Sequence, residues 1–312
     1  MSEKPRIAVL CGGTSLERDV SLRSGIRVTN TLSDAGYDVT KIDVGGDLVA
    51  TLRDGSFDAA FIALHGAAGE DGTVQSLLEL LNLPYTGPDA LASTLAWNKP
   101  TAQGLFERHG LTVPRHVSLS QLAFRELGAS AAIDHIVDTL GDALVVKPAR
   151  GGSSIGLTIL QNPTELPAAI MSAFSCADVV LIEQAITGKE IAITVLDGQP
   201  LPAVEIQPKR GSYDFSARYT AGATEFHAPA RVDEAVSEAC AEAATRAYAA
   251  VGARHISRVD AIIDASGVPY IIELDTCPGL TQTSLVPLAA EAAGMSFTDL
   301  CTRLVAFALR DA

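Results

Sequence analysis

The sequence predicts an α/β protein whose C-terminal part is α+β, and three observations carry that expectation. Over residues 6–87, short apolar strands alternate with helical stretches, the order that builds an open, mostly parallel sheet. From residue 144 onward, strands come in close succession across glycine-containing turns, as paired strands do. The composition is that of a folded globule: 312 residues, 47% hydrophobic and 19% charged, enough chain to hide about three quarters of its unfolded surface.

The elements follow in order. Residues 7–10 read as a first strand, stopped by Gly12-Gly13, and a helix follows near 20–35. Strands at 38–43 and 59–64 and a helix near 73–81 continue the alternation. Pro84-Tyr-Thr-Gly-Pro88 is turn chemistry and sets a boundary at residue 87. A helix over 100–109 leads into an extended connection at Val113-Pro114. Strands 144–147 and 157–160 flank Pro148-Ala-Arg-Gly-Gly-Ser-Ser-Ile-Gly156, and 179–184 and 191–196 are further strands. Residues 207–227, polar and irregular, read as a mobile surface loop. An alanine-rich helix spans 233–251, strands 257–264 and 268–275 pair around Asp264-Ala-Ser-Gly267, and a last helix covers about 296–309. The expected division is 1–87, 88–184 and 185–312.

Charge narrows the function. With 37 acidic and 23 basic residues the chain carries −14, which argues against broad binding to nucleic acid or to anionic membranes. An anionic ligand must therefore meet a local cluster of positive groups. Five scattered cysteines without C-x-x-C spacing indicate neither a disulfide framework nor a zinc site, and reducing cytoplasm is the expected location.

The most informative segments are Ser257-Arg-Val-Asp-Ala-Ile-Ile-Asp264 and Tyr270-Ile-Ile-Glu-Leu-Asp-Thr276. Alternation puts Arg258 and Asp260 on one face, as it does Glu273 and Asp275, with Val259, Ala261, Ile263, Ile272 and Leu274 on the other. A four-residue turn would set Ile263 opposite Val268 and Arg258 opposite Glu273, and a two-residue slip would keep the faces. Three converging carboxylates repel unless a cation joins them, and hard oxygen donors select Mg²⁺ or Mn²⁺. A solvated, ion-paired hairpin face is the other reading.

Basic and glycine-rich elements complement this face. Lys147 ends a strand, and the Arg150 to Gly156 loop could fold backbone N–H groups over a phosphate, with hydroxyls from Ser153 and Ser154. It lacks the Walker A order. Glu183 and Gln184 end a strand, where a carboxylate could meet ribose and backbone groups could meet adenine; unaided they read as surface polar residues. The turns at Cys11-Gly-Gly-Thr-Ser-Leu-Glu17 and His65-Gly-Ala-Ala-Gly-Glu-Asp-Gly72 stand at strand ends, where ligands bind in open α/β sheets. Cys277 has no base nearby in sequence and is no nucleophile candidate.

Taken in order, Gly12-Gly-Thr-Ser-Leu-Glu17, His65-Gly, Gly69-Glu-Asp-Gly72, Lys147-Pro, Gly152-Ser-Ser-Ile-Gly156, Arg258-Val-Asp260, Glu273-Leu-Asp-Thr-Cys-Pro-Gly279 and Thr283-Ser-Leu-Val-Pro287 resemble the ATP-grasp superfamily and, within it, the D-alanine–D-alanine ligases. The resemblance implies an ATP-grasp fold with an N-terminal Rossmann-like domain, ATP between two antiparallel sheets, and synthesis of D-alanyl-D-alanine for peptidoglycan. It implies that Lys99, Lys147, Ser154 and Arg218 meet ATP phosphates, Glu183, Gln184, Ala185 and Ile186 the adenine, and Glu190 the ribose. Asp260, Glu273 and Asp275 would hold two Mg²⁺ or Mn²⁺ ions. Glu17, Ser153 and Tyr219 would form a trio closing the long loop, Arg258 and the Gly279 N–H would meet the oxyanion, and His65, Ser284 and Leu285 would line the substrate side. A dimer is common among look-alikes. Asp275 stands where Asn is usual, Arg218 where Lys is common, and Asn98 where Asp is frequent. Tyr219, where depsipeptide-forming relatives carry Phe, favours an amine nucleophile. A ligase joining other amino acids, and a nucleotide-sensing binding protein, are the competing readings.

Overall fold

The computed structural model describes residues 4–126, 128–211, 213, 220 and 222–311, so Arg218 and Tyr219 lie outside the described residues. Among the described residues, three sheets form. In the first, β1 (Arg6–Cys11) lies between β2 (Asp38–Asp43) and β3 (Ala59–Ile62), all parallel. The helices α1 (Arg18–Asp34) and α2 (Leu48–Gly55) make the crossovers, and α3 (Thr73–Leu80) follows β3. Ile7 to Cys11 are wholly buried, which is why β1 reads as an unbroken apolar run.

The second sheet joins β4 (His116–Ser120), β5 (Leu144–Pro148), β6 (Thr158–Leu160) and β7 (Val179–Gln184) in the order β4-β7-β5-β6, all antiparallel. The third contains β8 (Lys189–Leu196), β9 (Gln199–Pro200), β10 (Val204–Pro208), β11 (Thr224–His227), β12 (Ile256–Ile263) and β13 (Pro269–Asp275), ordered β11-β10-β8-β12-β13 with β9 on β8.

Packing ties distant segments together. Helices α4 (Ala90–Trp97) and α5 (Lys99–Arg108) precede the second sheet but pack on the third, where Ala102 and Phe106 share a core with Ile193, Val259 and Leu274. Helices α6 (Gln121–Glu126), α7 (Ala129–Leu140) and α8 (Leu166–Phe174) accompany the second sheet, whose core takes Ile136 and Leu140 from α7 and Ile170 from α8. Helix α9 (Glu234–Ala250) covers the third sheet with Ala244 and Ala247. The last two helices, α10 (Leu285–Ala292) and α11 (Phe297–Arg310), bend by 104°. Leu300, Leu304 and Val305 of α11 pack against Ile7, Val9 and Phe61 of the first sheet. No single helix among the described residues is long and apolar enough to cross a membrane.

Two expectations need correction. The irregular stretch expected over 207–227 begins and ends in strand, because Ile206 pairs with Phe226 and Gln207 with Glu225 in the β10–β11 ladder. Polar partners on the exposed face mask that alternation. In the β12–β13 hairpin, Ile263 faces Pro269, not Val268. The Asp264 side chain accepts from the amides of Ser266 and Val268, each at 2.9 Å, which lengthens the turn by a residue. A bulge after Asp260 then shifts the register once more, so Asp260 stands opposite Glu273 and Arg258 opposite Asp275. The ionic face survives, but Ile271 takes the core position expected of Ile272, which turns to the ligand side.

Candidate active site

The site grows from the facing sheets. Asn98 caps α5 by accepting from the Thr101 amide, which sets Lys99 at the first helical position. Its backbone N–H bonds Ala149 O at 3.0 Å, and its ammonium reaches Gly151 O at 2.7 Å and Glu273 at 3.0 Å. Lys99 therefore links the helix, the glycine loop and the β13 edge. Lys147 on β5 lies 2.7 Å from Glu183 on β7, and Gln103 of α5 also donates to that carboxylate. Glu183 is 2% exposed, so it is no surface residue.

These groups wall a narrow cavity of about 160 Å³ between the second and third sheets. Ile155, Leu157, Ile159 and Ile272 supply apolar surface; Ser154, Gln184, Ala185, Ile186, Glu190 and Asp260 also line it. A larger cavity of about 490 Å³ adjoins it, and Lys99, Gly151, Gly152, Tyr213 and Glu273 border both. The larger cavity brings together Glu17, His65, Ser153, Arg258, Asp275, Gly279, Ser284 and Leu285 from elements far apart in sequence.

Local geometry explains several positions. Ser153 and Ser154 adopt φ of 51° and 58°, a left-handed pair that non-glycine residues rarely occupy. Ser153 Oγ donates to Glu17, and a Cβ on Gly152 would come within 2.7 Å of the same carboxylate. The Glu17–Ser153 contact thus forms as expected; their third partner, Tyr219, is outside the described residues. Ser284 precedes α10, and its Oγ accepts from the Thr281 amide at 3.0 Å.

Arg258 Nε and Nη2 bond both oxygens of Asp260 at 2.7 and 2.8 Å, while Nη1 stands 3.0 Å from Asp275. Burial alone would lower the Arg258 pKa, but Asp260 and Asp275 hold it well above the usual value. Burial raises the Asp275 carboxyl to about 6, with Asp260 and Glu273 adding to the rise and Arg258 opposing it. Burial would likewise lower Lys99, yet Glu273 keeps its ammonium above the ordinary value. His65 is pushed down to about 4 by burial. Glu70, sealed beside Asp275 and Glu17, is raised well above the carboxylate range by burial and those charges. The Cys277 thiol is raised by burial and donates to Ile62 O at 3.5 Å, which leaves no nucleophile there.

Among the described residues, no three His, Cys, Asp or Glu side chains are disposed as a ready metal site. Asp260, Glu273 and Asp275 instead face Arg258 and Lys99. The donor set nonetheless fits a hard divalent cation in kind: all oxygen and clustered, with Asp275 raised chiefly by burial and further by the charges of Asp260 and Glu273. Sequence reasoning gave no role to Gln103 or Ser24. Their only sequence signal was a polar side chain at a helix position whose neighbours Ala102 and Phe106, or Gly25 and Val28, are buried.

Two antiparallel sheets gripping an apolar slot, with lysines at its mouth and carboxylates beyond, define an ATP-grasp protein. A family model described as the D-ala D-ala ligase C-terminus matches residues 105–306, and one for the N-terminus matches residues 44–88. The chain belongs to the D-alanine–D-alanine ligase family. A D-alanine–D-alanine ligase from Syntrophotalea carbinolica is 45% identical over 97% of this chain and 96% of its own. One from Geobacter sulfurreducens is 41% identical over 96% and 93%. The crystal structure of the Bacillus anthracis D-alanine–D-alanine ligase superposes with a TM-score of 0.87 at 32% identity, covering 98% of each chain. The VanG D-Ala:D-Ser ligase of Enterococcus faecalis gives 0.84 at 30% identity, over 98% of this chain and 99% of its own.

Proposed function

We propose that this chain joins two D-alanines to D-alanyl-D-alanine at the expense of ATP, a step in peptidoglycan precursor and cell wall synthesis. One observation carries the reading: the slot and the larger cavity meet at the Lys99–Glu273 pair. A nucleotide in the slot, its adenine at Glu183 to Ile186 and its ribose at Glu190, would thus present its phosphates to an amino acid in the neighbouring space.

A carboxylate is a poor electrophile, so the first D-alanine takes the γ-phosphoryl of ATP and becomes an acyl phosphate. Lys99 and Lys147 offset charge on the phosphates, with Ser154 and the loop amides beside them and Arg218 in the role of the usual Lys. Mg²⁺ or Mn²⁺ on Asp260, Glu273 and Asp275 would supply charge neutralisation at the phosphates. Glu17 holds the first ammonium. The second D-alanine's amine attacks the carbonyl and expels phosphate, and Arg258 with the Gly279 N–H faces the oxyanion. His65, Ser284 and Leu285 border the substrate carboxylates, and Tyr219 with Ser153 and Glu17 closes the loop against water. The division at 1–87, 88–184 and 185–312 assigns substrate, nucleotide and metal work to successive parts, in a cytoplasmic enzyme.

The test is phosphate release with D-alanine, ATP and Mg²⁺, followed by the product's mass. Absence of an ATP-dependent D-alanine dipeptide overturns the reading. A ligase with another second amino acid is the alternative, favoured by Asp275 and by the likeness to a D-Ala:D-Ser ligase; a panel of D- and L-amino acids separates the two.

A further inference from the structure

Helix α1 carries Ser21, Ser24 and Arg27 at three-residue spacing, along one stripe of its surface. Ser21 and Ser24 are completely buried. A buried hydroxyl requires partners, and these find them far away in sequence. Ser21 Oγ accepts from Gly12 N at 2.8 Å and donates to Ala63 O at 2.7 Å. Ser24 Oγ accepts from Leu280 N at 3.2 Å and lies 2.9 Å from His65 Nε2. Arg27 donates to Leu280 O at 3.0 Å and Thr281 O at 2.6 Å, with its guanidinium 3.6 Å from the Phe297 ring centroid.

His65 completes the chain of bonds. Its Nδ1 lies 2.9 Å from Cys277 O, and a carbonyl only accepts, so Nδ1 carries the proton. The ring is neutral because burial lowers its pKa to about 4. Nε2 therefore accepts, and Ser24 donates to it. One serine hydroxyl is thus donor to the His65 ring and acceptor from the Leu280 amide. Together, His65 grips the chain before Gly279 at Cys277, while Ser24 and Arg27 grip it just after, at Leu280 and Thr281. Gly279 itself has little room, since a Cβ there would stand 2.9 Å from Ser284 Oγ.

We infer that Ser24 and Arg27 are positioning residues which aim the Gly279 N–H at the reacting carbonyl. Neither needs to touch substrate. The inference rests on the role proposed for Gly279. An oxyanion donor works only if it is already oriented, and an error near 1 Å can cost about 100-fold.

The test uses Ser24→Ala and Arg27→Met in the full chain, with phosphate and dipeptide measured together. Arg27→Met keeps a long stem over Phe297 and removes the two donated bonds. With the loop unfastened, acyl phosphate still forms but more of it meets water, which returns D-alanine and phosphate. Phosphate released per dipeptide rises at least about twofold, dipeptide kcat falls about tenfold, and the KM for ATP stays within about twofold. Ser24→Thr, which retains the hydroxyl, restores the ratio. An unchanged ratio in both variants overturns the inference, whether or not kcat falls. Should Ser24→Ala not fold by thermal melting, Arg27→Met decides alone. An amide-to-ester replacement that removes the Gly279 N–H separates the two layers: wild-type kcat and ratio in that variant refute the role of Gly279. Impairment there, with the ratio unmoved in Ser24→Ala and Arg27→Met, refutes only the positioning.

Discussion

Lys147 and Glu183 stand 2.7 Å apart on adjacent antiparallel strands, with 5% and 3% of their side chains exposed. Neither charge has bulk water to fall back on, so the pair holds the floor of the nucleotide slot as one unit. Replacing Lys147 by Met leaves Glu183 buried with Gln103 as its remaining side-chain donor, and destabilises the fold by about 3 kcal/mol or more in urea unfolding. Adding Glu183→Gln recovers much of that loss. Full stability of Lys147→Met alone would contradict the pairing.

Arg258→Ala removes the partner shared by Asp260 and Asp275 and, in the proposed mechanism, an oxyanion donor. Dipeptide kcat falls by about 100-fold or more, corresponding to ~3 kcal/mol in the transition state. Steady-state kinetics at saturating D-alanine measures it.

Glu273→Gln halves neither a pocket nor a core, but it removes charge from both Lys99 and the proposed cation site. Mg²⁺-dependent tightening of ATP binding, followed by calorimetry, drops at least about tenfold. Unchanged Mg²⁺ dependence would take the β12–β13 hairpin out of metal binding.

Ser153→Ala breaks the contact that ties the glycine loop to Glu17. The KM for D-alanine rises several-fold, and uncoupled ATP hydrolysis increases as the loop closes less well. Parallel assays of ADP and dipeptide read both effects.

Stability in acid carries a signature of Glu205. Arg231 donates to it from Nε and Nη2 at 3.0 and 2.8 Å, and this bonding lowers the carboxyl to about 2. A folded-state pKa below the unfolded one gives stabilisation that is complete above about pH 4.5 and fades as pH falls toward 2. Glu205→Gln therefore lowers stability at pH 7 and flattens its decline in that window, measured by urea unfolding across pH.

The parallel first sheet was legible because β1 and β3 are apolar runs bounded by turn residues, and β2, though largely polar and exposed, falls between helical stretches in the strand–helix alternation. The carboxylate face was legible too, since alternation alone aligns Arg258 with Asp260 and Glu273 with Asp275. Its pairing was not: the Asp264 side chain and the bulge after Asp260 each shift the register by one, and neither leaves a mark in the hydrophobic pattern. Strand β4 was read as bare extended chain, because its residues are half buried and polar outward. The surface reading of Glu183 failed for a different reason. Its burial depends on Lys147 and Gln103, which sit 36 and 80 residues away in sequence and meet it only in the folded protein.

The insertion of α11 beneath the first sheet has a consequence for how the molecule assembles. Ile7 and Val9 leave the ribosome about 290 residues ahead of Leu300, Leu304 and Val305, which help to cover them. Val28 and Leu32 of α1 can pack on that flank of the sheet early, but the rest of it stays uncovered until α11 has been made. The first sheet therefore completes its packing only when α11 arrives, so its final stability waits on contacts of long sequence separation.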